Sequence, residues 1–183
     1  RSRNDQVAND VRLFVKSEVD DLVSLAFELI AVIRTRAEEA HAEGIYLPGY
    51  THMQQAQPVS LAHHLAAYCW MLLRDVDRLK DAKRRTDVSV LGAGALAGSS
   101  LPLNPAFTAA DLGFDQLFEN SLDAVSDRDF VADVLYALTT LGIHLSKLGE
   151  ELVIWASSEF AFITLDDAFS TGSSMMPQKK NPD

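Results

Sequence analysis

The stretch Ser170-Thr171-Gly172-Ser173-Ser174-Met175-Met176-Pro177-Gln178-Lys179-Lys180-Asn181-Pro182 combines a flexible glycine, paired hydroxyls, two ammonium groups and a carboxamide. Gly172 permits backbone angles closed to other residues, and successive amides around Ser173 and Ser174 can form an anion-binding nest. Lys179 can neutralise a carboxylate or hold a serine as its alkoxide, and Asn181 can donate and accept at once. Met175 and Met176 supply an adaptable apolar anchor. By composition alone a polar surface loop is the blander account of the same residues.

A second candidate is His52, beside Thr51 in a stretch, Gly44 to Gln57, punctuated by Pro48-Gly49. The other histidines have plainer readings. His63, His64 and His144 fall inside helical patterns with no carboxylate or cysteine at ligand spacing, which points to core or interface packing rather than a metal. His41 lies near a helix C-terminus, where it complements the dipole. No metal and no organic cofactor is suggested. The run Gly92-Ala93-Gly94-Ala95-Leu96-Ala97-Gly98 has neither the preceding strand nor the Gly-Lys-Ser/Thr of a phosphate loop, so it reads as a tight turn. Asp20-Asp21 and Glu150-Glu151 read as solvated helix faces.

The elements that must position these groups are helices. Val7, Val11, Phe14, Leu22, Leu25, Leu29 and Ile33 form one stripe on a helix from about Asp5 to Glu43. At 1.5 Å per residue that helix is about 55–60 Å long. A second helix is expected to start near Pro58, which suits a first turn, and to run through Leu61, Leu65, Cys69, Leu72, Val76 and Leu79. A third is expected from about Asp127 to Ser157, seamed by Val131, Val134, Leu138, Leu141, Leu145, Leu148 and Leu152, with Ser126 and Asp129 in a capping arrangement. Pro102 and Pro105 break any helix in the Gly-, Ala- and Ser-rich stretch from Leu91 to Pro105. No set of alternating strands stands out. The expected class is all-α, a bundle of long helices. Their seams are more than one small bundle covers, so several faces are expected to pack on other chains.

With 183 residues, 48% of them hydrophobic and 23% charged, the chain suits one soluble domain. A net charge of −10 argues against general nucleic-acid binding, which needs a basic surface. Cys69 is the one cysteine, so no internal disulfide is possible and a reducing compartment is expected. No apolar run reaches the roughly 20 residues that span a bilayer, and no signal peptide is visible. The sequence starts at Arg1 without a methionine and stops at Asp183 just after the dense motif; a fragment of a longer protein is expected.

Gly172-Ser173-Ser174-Met175-Met176-Pro177-Gln178-Lys179-Lys180-Asn181-Pro182-Asp183 resembles the signature loop of the fumarase/aspartase superfamily, Gly-Ser-Ser-x-Met-Pro-x-Lys-x-Asn. Its Gln-Lys-Lys form resembles the argininosuccinate lyase branch; fumarases and aspartases usually carry Gly-Lys-Val there, adenylosuccinate lyases His-Lys-Arg. Ser2-Arg3-Asn4-Asp5-Gln6 is similar to the branch's first conserved region. Gly49-Tyr50-Thr51-His52-Met53-Gln54 with Ala56-Gln57-Pro58 is similar to its second. The resemblance covers essentially all 183 residues, including Ser126-Asp127-Arg128-Asp129-Phe130.

The resemblance implies β-elimination of argininosuccinate to arginine and fumarate, a step of arginine biosynthesis (of the urea cycle in animals), in the cytoplasm and without a cofactor. Ser173 matches the catalytic serine, and Thr51 and His52 match a substrate-contacting threonine and the catalytic histidine. Asn4 matches a substrate-binding asparagine, with Ser2 and Arg3 beside it as carboxylate contacts; Lys179 and Asn181 match residues that hold the succinyl carboxylates. It further implies a homotetramer with a shared helical core, each site taking the three regions from three subunits. Residues 1–183 then correspond to the central helical domain, without the amino-terminal domain or the carboxy-terminal part. Alone, such a fragment is expected to be inactive. The proton removed lies beside a carboxylate, so cations and amides must stabilise an aci-carboxylate, and the departing guanidinium nitrogen needs a general acid. Either of Ser173 and His52 can be the base and the other the acid. Two further readings stay open: adenylosuccinate lyase, against which the Gln-Lys-Lys loop speaks, and a non-enzymatic lens crystallin of the same superfamily.

Overall fold

The computed structural model describes residues 3–182 and divides into two compact units, residues 1–140 and 141–183. In the first, helix α1 runs from Asn4 to Ala42 without an internal glycine or proline. Asp5 in its first turn and His41 in its last suit the helix dipole. Gly44, at φ +66°, ends it. The Gly44 amide donates to the His41 carbonyl (3.1 Å) and the Ile45 amide to that of Ala40 (3.0 Å), the paired bonds of a left-handed C-cap.

A hairpin follows, β1 (Tyr46–Thr51) antiparallel to β2 (Gln54–Ser60), and then helix α2 (Leu61–Thr86). Alternation did not reveal these strands. Pro58, expected in the first turn of the helix, instead faces Pro48 across the hairpin, and the helix N-cap is Ser60. Each strand tolerates its proline because, among the described residues, neither has a further strand beside it.

Helix α2 returns along α1. Lys83 pairs with Asp20 at 2.6 Å, and Lys16 with Asp87 just beyond the α2 C-terminus. The buried positions of α1 include Asp5, Arg12, Val19, Ala26, Ile33 and Ala40, seven residues apart each time; those of α2 include Tyr68, Leu72, Asp75, Leu79, Ala82 and Thr86, in alternating steps of four and three. A repeat of seven, or of alternating four and three, keeps one seam facing a partner helix. The expected stripe on α1 is therefore only partly the internal one. Val7, Phe14 and Leu25 are exposed, whereas small side chains such as Ala26 and Ala37 let the two helices close up, and Ala8 packs with Val90, Ala93 and Ala124.

Strand β3 (Val88–Ser89) pairs in parallel with β4 (Gln116–Leu117), and the short helices α3 (Pro105–Asp111) and α4 (Ser121–Ser126) flank the latter. Pro105 starts α3 at its first turn, where its missing N–H costs nothing. Helix α5, Asp129–Ala156, begins in the first unit and ends in the second. Asp127, the C-cap of α4, accepts the Asp129 amide with its Oδ1 at 2.8 Å. Ser126 closes α4 instead, donating to the carbonyls of Leu122 and Asp123. Arg12, a buried cation only 3% exposed, pairs with Asp127, donates to the Thr86 carbonyl (3.2 Å) and covers the Phe130 ring (4.2 Å). Burial pulls its pKa below the ordinary guanidinium value, against the attraction of Asp127.

In the second unit the α5 C-terminus is closed by Phe162 and Ile163, whose amides donate to the Trp155 carbonyl, and a 3-10 turn at Asp167–Phe169 leads into β5 (Thr171–Gly172), antiparallel to β6 (Lys180–Asn181). Among the described residues, no helix is long and apolar enough to cross a membrane.

Candidate active site

Strands β5 and β6 are two residues each, so their role is to close the loop between them. Thr171 faces Asn181 and Gly172 faces Lys180. Inside the loop the Ser173 hydroxyl oxygen accepts the Met176 amide at 3.1 Å, and the Lys179 amide donates to the Met176 carbonyl at 2.9 Å. The Lys179 ammonium donates to Asn181 Oδ1 at 2.6 Å, so these two expected carboxylate ligands stand side by side. The lysines differ: Lys180 is turned to Asp167. Ser173 and Asn181 are half-buried, while Ser174, Lys179 and Met175 are exposed. An N–H aimed at a hydroxyl oxygen favours the charge that oxygen acquires on deprotonation, which suits Ser173 to a nucleophilic or basic role.

The hairpin tip is built differently. His52 and Met53 both have positive φ, +53° and +61°, between the paired residues Thr51 and Gln54. That is the backbone of a two-residue turn of the primed kind, which asparagine and glycine usually occupy. The strain at two ordinary side chains has a consequence: it puts His52 and Thr51 at an exposed apex rather than in a packed face. Below it, Gly49 lies at the bulge where the register shifts; a Cβ there would stand 2.7 Å from the Gln57 carbonyl oxygen. The hairpin can approach itself this closely only with glycine.

Asn4 is the first residue of α1 and exposed, and its Nδ2 donates to the Ala95 carbonyl at 3.1 Å. Arg3 is the N-cap, exposed, its carbonyl accepting the Val7 amide. Ser2 lies outside the described residues.

The structure thus brings Lys179 together with Asn181, on the same loop as Ser173, and Thr51 with His52. It separates Asn4 from the latter pair. Helix α1, with 39 residues, puts Asn4 and the root of the hairpin about 58 Å apart. The six residues of β1 span only about 20 Å. One copy of the chain cannot apply Asn4 and His52 to one small molecule.

Sequence reasoning overlooked Asp5 and Asn9, whose side chains bind backbone amides of the stretch 90–94. Their partners lie more than 80 residues away, and no spacing rule reports such a bond. The remaining histidines are on helices, His63 exposed and His64 half-buried, its ring 6.2 Å from that of Tyr68. Burial raises the pKa of Cys69, and its thiol lies 3.9 Å from the Ile30 carbonyl.

A family model described simply as "Lyase" matches residues 1–183. Over all 183 residues the chain is 59% identical to the argininosuccinate lyase of Pelotomaculum thermopropionicum and 56% identical to that of Symbiobacterium thermophilum. It spans 39% of the length of either relative. Among solved structures, EDDS lyase in complex with formate superposes on the whole chain with a TM-score of 0.94 at 33% identity, over 36% of its own length. The class II fumarase of Schistosoma mansoni gives 0.81 at 21% identity over 43% of its length, a likeness of fold. The fold is that of the fumarase/aspartase superfamily.

Proposed function

Because the chain belongs to the lyase family, we propose that it carries out the argininosuccinate lyase reaction, β-elimination of argininosuccinate to arginine and fumarate, as part of arginine biosynthesis. The observation that carries this reading is the closed loop 173–179. There a serine oxygen receives an amide N–H, and an ammonium and a carboxamide are paired a few residues away.

Ser173, as its alkoxide, takes the proton from the carbon beside a succinyl carboxylate and becomes the neutral hydroxyl. The electron pair left on that carbon delocalises into the carboxylate, and Lys179, Asn181 and loop amides stabilise the double charge. The pair then forms the carbon–carbon double bond as the carbon–nitrogen bond breaks. The departing guanidino nitrogen keeps the bonding electrons and takes a proton from His52, directly or through a relay. Thr51, Asn4, Arg3 and Ser2 hold the substrate. Each atom is accounted for without a cofactor.

The separation of Asn4 from His52 supports a shared site in a homotetramer, with the α1 N-terminus, the hairpin and the 173–179 loop supplied by different copies. Exposed apolar side chains along α1 and α5, among them Phe14, Leu25, Leu135 and Ile143, suit such helix-to-helix packing. A net charge of −10 gives no support to a nucleic-acid partner, and a single, half-buried cysteine suits the cytoplasm.

The test is fumarate release, followed by ultraviolet absorbance, from the natural-length protein given argininosuccinate or adenylosuccinate, with Ser173→Ala beside it. Release from argininosuccinate alone, lost in the variant, is expected. No release from a correctly assembled protein would overturn the enzyme reading, and release from adenylosuccinate would move the substrate.

A further inference from the structure

We infer that Asp5 is a positioning residue: its buried carboxylate locks the turn Gly92–Ala95 onto the N-terminus of α1 and through that turn fixes the side chain of Asn4. This rests on the reading of Asn4 as a substrate residue. Asp5 is 9% exposed. Its Oδ1 accepts the Gln6 amide at 2.9 Å, and its Oδ2 accepts the amides of both Gly92 and Gly94 at 3.0 Å. Two amides converging on one oxygen require a nest-like backbone, and Gly92 and Gly94 supply it with φ of +107° and +69°. Neither tolerates a side chain: a Cβ at Gly92 would stand 2.7 Å from Pro105 Cγ, one at Gly94 2.6 Å from the Gly98 carbonyl oxygen.

The turn is held at both ends. Asn9 Oδ1 accepts the Val90 amide at 2.9 Å, and the Gly98 amide donates to the Ala93 carbonyl at 2.8 Å. What the turn presents is the Ala95 carbonyl, which accepts Asn4 Nδ2 at 3.1 Å. A carboxamide whose N–H is engaged has its plane set, so its remaining polar atoms point in one direction. Asp5 cannot point there itself, since both its oxygens are occupied. It acts through the turn. Asparagine at position 5 would set its NH2 against either the Gln6 amide or the two glycine amides, donor against donor, and the turn would shift.

The experiment is a double-variant cycle in the natural-length protein: kcat and KM for argininosuccinate with Asp5→Asn, Asn4→Ala and both. Asp5→Asn is expected to lower kcat/KM about ten- to a hundredfold, the range of a hydrogen bond to a charged group. In the Asn4→Ala background it should have almost no further effect, because both changes act on one contact. Should Asp5→Asn fail to fold, Gly94→Ala displaces the turn from the other side and should give the same non-additivity. Losses that multiply, or a lowered melting point with kcat/KM unchanged, would overturn the inference while the wild type stays active. A wild type inert towards argininosuccinate would sink the enzyme reading and this inference with it.

Discussion

His52 occupies a backbone position that histidine rarely takes. With φ of +53° beside Met53 at +61°, it stands where a turn ordinarily places asparagine or glycine. Strain of that kind costs on the order of 1–3 kcal/mol per residue and persists where the surroundings over-determine it. Asparagine tolerates the same region, so His52→Asn should keep the hairpin while removing the imidazole. The expected result is a fall in kcat of roughly 10²–10⁴-fold, the usual contribution of a general acid, with the helical circular dichroism unchanged. A variant that kept most of its turnover would take His52 out of the chemistry. That this histidine differs from the other four was legible in the sequence, because it alone lies among Pro48, Gly49 and Thr51 rather than in a helical pattern. Its strain was not legible, since a His-Met pair carries no turn signature. Nor were the partners of Asp5 and Asn9, since loop closure over such distances leaves no local mark.

Between elements, the Arg12–Asp127 pair joins α1 to the start of α5. Arg12 has little access to water, so its loss removes packing on Phe130 and a donor to Thr86 along with the charge. Breaking one side of a buried pair typically costs 3–5 kcal/mol, and Arg12→Ala is expected to cost roughly 3 kcal/mol because Asp127 keeps some contact with solvent. Arg36→Ala, at an exposed pair with Glu39, should cost less than about 0.5 kcal/mol. Chemical denaturation of both variants decides whether the contrast exists. The double variant Arg12→Met/Asp127→Asn should recover part of the loss, since asparagine can still accept the Asp129 amide that starts α5. Equal losses from Arg12→Ala and Arg36→Ala would show that burial at Arg12 counts for nothing. The long helices were legible to within a few residues, because periodicity accumulates over many turns. The hairpin was not: Tyr46–Ser60 carries two prolines, no alternation and no Asn-Gly. What orders it is pairing of each strand with the other, which no single strand announces. The stripe read on α1 coincides only in part with the internal seam, for a related reason. Its alanines attract less notice than Phe14 and Leu25, yet close packing selects the smaller side chains.

At the scale of the whole molecule, one length decides the argument. Asn4 and the hairpin root are about 58 Å apart along α1, and β1 shortens that gap by about 20 Å at most. A substrate the size of argininosuccinate reaches only a fraction of what remains. If both residues serve one site, they must come from different copies, and this makes a prediction that activity of the single protein cannot. Asn4→Ala and His52→Asn should each be nearly inactive alone. Mixed in equal amounts, dissociated under mild conditions and reassembled, they should recover activity, because some sites then receive Asn4 from one chain and His52 from another, both intact. Random mixing limits that fraction to roughly a quarter of the sites in a closed symmetric assembly. Were Asn4 and His52 drawn from the same chain, every site would keep one defect and the mixture would stay as inactive as its components. Recovery should also require reassembly, so mixing without dissociation serves as the control. Its size reports the symmetry directly: a value near a quarter fits two independent contributing chains, and a smaller one points to preferential reassembly of like subunits.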